Sequence, residues 1–180
     1  LRDEAASYKR GQIIVVTKCP ANITEEERKS IIAEINPLEG QQVFFSTIDY
    51  GQPYHLAARR RVTINNHMEV LLVSGIANPV PLKEFLKENS QTYYEMLYSD
   101  HHIFSIDDWR EIVKRFEAIQ STSKIILTTE KDAVRLSKFV SELQQTPVFV
   151  MPIEMRILFG QETAFLQLVS AFIDGFSLKN

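Results

Sequence analysis

Cysteine is almost absent from this 180-residue chain. Cys19 stands alone, so no internal disulfide can form and no cysteine-based zinc site can be assembled. Cationic excess is missing too. Twenty Lys and Arg face twenty-three Asp and Glu, a formal net charge of −3, which excludes the basic footprint of a general nucleic-acid binder. No apolar run approaches the roughly 18 to 20 residues that a membrane-spanning helix needs. Glycine is scarce, and none of Gly11, Gly40, Gly51, Gly75, Gly160 and Gly175 opens a Gly-x-x-x-x-Gly-Lys-Ser/Thr loop, so no Walker-type triphosphate cradle is encoded. Internal repeats and low-complexity tracts are lacking as well. The opening Leu1-Arg2-Asp3-Glu4 is neither a signal nor a transit peptide and carries no initiator Met, so the chain is expected to be part of a longer protein.

What is present is an ordinary globular composition, 44% hydrophobic and 24% charged, of a size suited to one α/β core. Strand-length apolar runs occur at 12–17, 43–48, 69–74, 92–98, 124–128 and 147–151. Such unbroken runs suit strands buried on both faces. Helical periodicity falls between them, at 25–35, 81–89, 107–119, 130–144 and 161–172. Thr24 with Glu27 reads as a capping box, Ser105 precedes the third helix, and Thr129 with Asp132 caps the fourth. Alternating strands and helices predict an α/β fold, a mainly parallel three-layer sheet of P-loop or Rossmann type with helices on both faces. Residues 49–68, polar and interrupted by Gly51 and Pro53, are expected to form a linker or short β-ribbon. They would separate residues 1–48, the end of a lobe continuing upstream, from a second lobe at 69–180.

Three clusters can carry chemistry. Asp100-His101-His102 lies between a strand and a helix, where α/β enzymes build their sites. A carboxylate beside imidazoles can orient a histidine and fix its tautomer; alternatively, the histidines merely cap the next helix. A third reading, a manganese phosphoesterase site, asks for upstream Asp-x-Asp pairs that the chain does not have. Thr128-Thr129-Glu130-Lys131-Asp132 begins a helix at a strand end, with Lys131 able to meet a phosphate or a carboxylate, although capping alone explains Thr129 and Asp132. Ser74-Gly75-Ile76-Ala77-Asn78-Pro79 marks another strand end, where Gly75 permits close approach of backbone to a ligand or simply a tight turn. Arg59-Arg60-Arg61 reads as a solvated loop.

Taken in order with Leu1-Arg2, Lys9-Arg10 and Val15-Val16-Thr17-Lys18, these segments resemble the C-terminal half of the lipid A 4′-kinases over nearly the whole chain. The resemblance implies transfer of the ATP γ-phosphate to the 4′-hydroxyl of a tetraacyl glucosamine disaccharide 1-phosphate, with Mg²⁺, at the cytoplasmic face of the bacterial inner membrane. It places the ATP loop, the membrane-associating helix and a catalytic aspartate upstream of Leu1, so this chain alone is expected to be inactive and to bind neither nucleotide nor metal by itself. It implies that His101 pairs with that aspartate and that Asp100 orients His101. Asp3, His102, Thr129, Glu130, Lys131, Asp132, Gly75 and Asn78 are the remaining cleft candidates; at Asp3 the family pattern Leu-Arg-Glu-Pro gives way to Leu-Arg-Asp-Glu. A non-catalytic ligand-binding or interaction domain is the alternative.

Overall fold

The computed structural model describes residues 5–58 and 60–177. Eight strands and six α-helices follow in the order β1 (Ile13–Val16), α1 (Glu25–Ile35), β2 (Gln42–Tyr50), β3 (Tyr54–His55), β4 (Glu69–Ser74), α2 (Val80–Asn89), β5 (Thr92–Leu97), α3 (Ile106–Ala118), β6 (Lys124–Thr129), α4 (Glu130–Leu136), α5 (Val140–Leu143), β7 (Val148–Met151), β8 (Ile153–Ile157) and α6 (Glu162–Ser177). Short 3₁₀ turns cover Ala5–Arg10 and Ser137–Phe139.

The chain forms two compact units. The first combines the residues up to Asp49 with Glu154–Asn180 and carries a sheet in the order β1-β2-β8. β1 and β2 run parallel, joined through α1, whose first turn is closed by the reciprocal Thr24–Glu27 box. Cys19, Phe45 and Leu158 centre its core, and Phe44 meets Phe165 edge to face at 5.2 Å. The second unit is the continuous segment Tyr50–Ile153. From the sequence, 69–180 is expected to form one lobe and 49–68 a linker or short β-ribbon. The two units divide the chain elsewhere: β8 hydrogen-bonds into the first unit's sheet, and 50–68 belong to the second unit, where Ile64 and Met68 are core residues and Tyr54 of β3 makes an antiparallel bridge to Arg61.

The second unit holds a five-stranded sheet, β3-β7-β6-β4-β5. β7, β6, β4 and β5 are mutually parallel, and β3 adds an antiparallel edge. Side chains alternate between two cores. Leu71, Val73 and Ile126 pack against Trp109, Ile112 and Phe116 of α3 and Leu136 of α4, while Val70, Leu72, Ile125 and Leu127 pack against Leu82 and Leu86 of α2. Helices therefore cover both faces, as the sequence predicts. The strand order reverses between β4 and β6, since β5 lies on one side of β4 and β6 on the other. In doubly wound sheets ligands bind outside the carboxyl ends of the strands at such a switch point.

Candidate functional site

Three chain segments leave the carboxyl ends of β4, β5 and β6, and side chains bind them together. β4 ends at Ser74, and Gly75 follows with its N–H donated to Asp132 Oδ2 at 2.9 Å. A Cβ at Gly75 would stand 3.1 Å from the Ser99 carbonyl and 3.3 Å from Asp132 Oδ1, so a side chain here would crowd both neighbours. Asp132 is wholly buried. Its Oδ2 also accepts the Thr129 hydroxyl at 2.9 Å, and its Oδ1 accepts Arg135 Nη1 at 3.0 Å. Thr129 caps α4 through the Asp132 N–H, but the carboxylate reaches across to β4 instead of back to the Thr129 backbone. Ser74 Oγ and Thr128 Oγ1, each one residue from this network, are buried without a hydrogen-bond partner.

The loop after β5 supplies the second half. His101 adopts φ 64°, in the left-handed region that costs an L-residue roughly 1–2 kcal/mol. The Asp100 carboxylate accepts the His101 backbone N–H at 3.0 Å and the Lys131 ammonium at 2.7 Å. That ammonium, first among the causes, holds the Asp100 carboxyl below its ordinary range. The His101 ring is 72% exposed, with Nδ1 3.2 Å from Arg135 Nη2, and Nε2 3.5 Å from both Asp100 Oδ2 and Lys131 Nζ. Gly75, Asp132, Arg135, His101, Asp100 and Lys131 thus form one connected charged network over the switch point.

His102 takes no part in it. Its Nε2 lies 3.0 Å from Asp108 Oδ2, and its ring stacks on Tyr98 at 4.5 Å and meets Phe104 edge-on at 5.1 Å. Asp108 closes the capping box of α3 with Ser105, and the Ser105 backbone N–H is the chief cause lowering its carboxyl. Burial, together with Asp108 and Glu111, pushes the Tyr98 hydroxyl up to about 12. Ser105 and Asp108 make the cap of α3 themselves, and His102 only braces the Asp108 carboxylate. Because the two rings diverge to separate partners, Asp100, His101 and His102 do not converge as a ligand set, and the phosphoesterase reading loses its geometry.

The other candidates separate as well. Asn78 is exposed and accepts the Val80 N–H at the start of α2. Glu130 accepts the Ile153 N–H at 3.3 Å. Asp3 lies outside the described residues. Arg135, which joins the two halves of the network, is not among the sequence candidates, since its spacing marks only a helix surface.

A family model described as tetraacyldisaccharide-1-P 4′-kinase matches residues 1–174. Among curated relatives, the tetraacyldisaccharide 4′-kinase of Bacteroides thetaiotaomicron is 34% identical over 96% of this chain and 49% of its own length. The enzyme of that name from Flavobacterium johnsoniae is 37% identical over 82% of this chain and 42% of its own. The chain spans about half the length, or less, of these relatives. A crystal structure of LpxK from Aquifex aeolicus in complex with ATP is similar in fold, with a TM-score of 0.51 and 18% identity over 93% of this chain and 45% of that one.

Proposed function

The chain belongs to the tetraacyldisaccharide-1-P 4′-kinase family, and on that premise we propose that it supplies the sugar-facing half of a lipid A kinase active site. The parent enzyme moves the ATP γ-phosphate to the 4′-hydroxyl of a tetraacyl disaccharide 1-phosphate. The new O–P bond forms as the bond to the ADP oxygen breaks, and the hydroxyl proton passes to a carboxylate supplied from outside this chain. The triphosphate, with its Mg²⁺, is held there too. Such a transfer asks the protein mainly for positioning and charge stabilisation.

One observation carries this reading. His101 is held in a strained backbone conformation at a strand end, exposed, and addressed through both ring nitrogens by charged partners. Strain of this kind, fixed by surrounding bonds, clusters at functional sites. In the proposed roles His101 contacts the carboxylate that receives the proton. Asp100 and Lys131 hold the loop that presents His101. Gly75, Thr129 and Asp132 tie the strand ends together beneath it.

An amphipathic substrate suits the surroundings. Ile103 at 78% and Val134 at 75% are the most exposed large apolar side chains among the described residues; Ile103 follows His102 in the loop after β5, and Val134 precedes Arg135 in α4. They fit acyl chains at the inner-membrane surface beside a polar sugar. Among the described residues no helix is long and apolar enough to cross a membrane.

The test is phosphate transfer from ATP to tetraacyldisaccharide 1-phosphate by the full-length parent. His101→Ala is expected to slow it by about 10²-fold or more, the scale of misplacing a reacting group. A parent without transfer would instead favour a binding or interaction domain.

A further inference from the structure

We propose that Arg135 is a positioning residue that fixes His101 as a hydrogen-bond donor, with its proton on Nε2, and that this is what presents the ring to the proton-accepting carboxylate. The proposal deepens the kinase reading above and rests on it for the catalytic half of its test.

A guanidinium carries five N–H donors and no acceptor. Arg135 Nη2 stands 3.2 Å from His101 Nδ1, so Nδ1 must present its lone pair there. The neutral ring then carries its proton on Nε2. Lys131 Nζ, 3.5 Å from Nε2, is also only a donor and cannot bond to an N–H; its ammonium is engaged instead by Asp100 Oδ1 at 2.7 Å. Asp100 Oδ2 is an acceptor near the Nε2 proton, at a long 3.5 Å. On a ring 72% exposed, that leaves an N–H able to turn to a better-placed carboxylate.

The placement of Arg135 is not that of a loose surface cation. Its side chain is only 21% exposed, and Nη1 is bonded at 3.0 Å to Asp132 Oδ1. Asp132 is fixed in turn by the Gly75 N–H and the Thr129 hydroxyl. The fork of the guanidinium therefore spans a buried, immobilised carboxylate on one side and a histidine on the other. A lysine, one point charge, cannot make both contacts. In this arrangement His101 does not take the hydroxyl proton; it aims and holds the carboxylate that does.

The experiment uses the full-length parent, ¹⁵N-labelled at histidine, with two-bond ¹H–¹⁵N NMR correlations to read which ring nitrogen of His101 bears the proton. The unaltered enzyme is expected to show a protonated Nε2 and a bare Nδ1. In Arg135→Met the two tautomers should mix, and kcat should fall about 10²-fold, the scale of a small misplacement of a reacting group. KM for the lipid should stay near its original value. Arg135→Lys, which keeps a cation opposite Asp132 and guards against a variant that fails to fold, should rescue neither readout. A proton on Nδ1 in the unaltered enzyme overturns the proposal, as does a folded Arg135 variant with unchanged tautomer or unchanged kcat. A tautomer that responds to Arg135 in a parent that transfers no phosphate would uphold the Arg135–His101 coupling and sink the kinase reading instead.

Discussion

His55 sits buried at the edge of the second unit's sheet, with Nδ1 accepting the N–H groups of Ala57 and Ala58 at 3.2 and 2.9 Å and Nε2 meeting the Thr146 carbonyl at 3.1 Å. Desolvation is the main cause that lowers its pKa from the ordinary 6.5, opposed in part by the bond to Thr146. The folded protein therefore binds this proton less readily than the unfolded chain. Stability from His55 is fully present above about pH 6.5 and declines as the pH falls below it. Unfolding of the 180-residue chain, followed through the buried Trp109, should show this decline, and His55→Leu should flatten it in that window while lowering stability throughout. An unchanged pH dependence in the variant would contradict the assignment. At the same scale, the site was only half legible in the sequence. The Asp132 partner at Gly75 lies 57 positions away and the His101 partner at Arg135 lies 34 away. Local spacing registers a cap three residues distant, as at Thr24 and Ser105, and contains nothing about contacts made by the sheet's topology. For the same reason His101 and His102 look equivalent in the sequence, and only backbone geometry sends one ring to Arg135 and the other to Asp108.

The helix α3 shows how capping fixes more than a helix end. Ser105 Oγ accepts the Asp108 N–H at 3.1 Å, while Asp108 Oδ2 gathers the Ser105 N–H, the Ser105 hydroxyl and His102 Nε2. Ser105→Ala is expected to cost about 1 kcal/mol, read as a lowered midpoint in urea with an unchanged slope. No loss would mean that the Asp108 bond to the backbone suffices alone. Most elements were legible because buried strands and amphipathic helices leave strong patterns: Glu69–Ser74 and Glu25–Ile35 match expectation residue for residue. Two regions differ for identifiable reasons. The expected helix at 130–144 breaks after Leu136, where the Ser137 hydroxyl donates to the Val134 carbonyl and a 3₁₀ turn carries Phe139 onto Trp109. β8 leaves no apolar alternation to read in the sequence, because four of its five residues are exposed.

For the molecule as a whole, the two units differ in how the chain builds them. Tyr50–Ile153 is continuous and contains both hydrophobic cores of the five-stranded sheet, whereas the other unit draws strands from both ends of the chain. A segment with its own core and no missing strand should fold alone. Residues 50–153, produced separately, are expected to unfold cooperatively with Trp109 buried; a non-cooperative transition would show that the unit depends on the rest of the protein. The most direct test compares His101→Ala with His102→Ala in the full-length parent, measuring phosphate transfer to tetraacyldisaccharide 1-phosphate. Loss of transfer at His101, with His102 costing chiefly stability, is the expected result. Equal transfer in the His101 variant and the unaltered enzyme, or the greater loss of turnover at His102, would contradict a site built around His101.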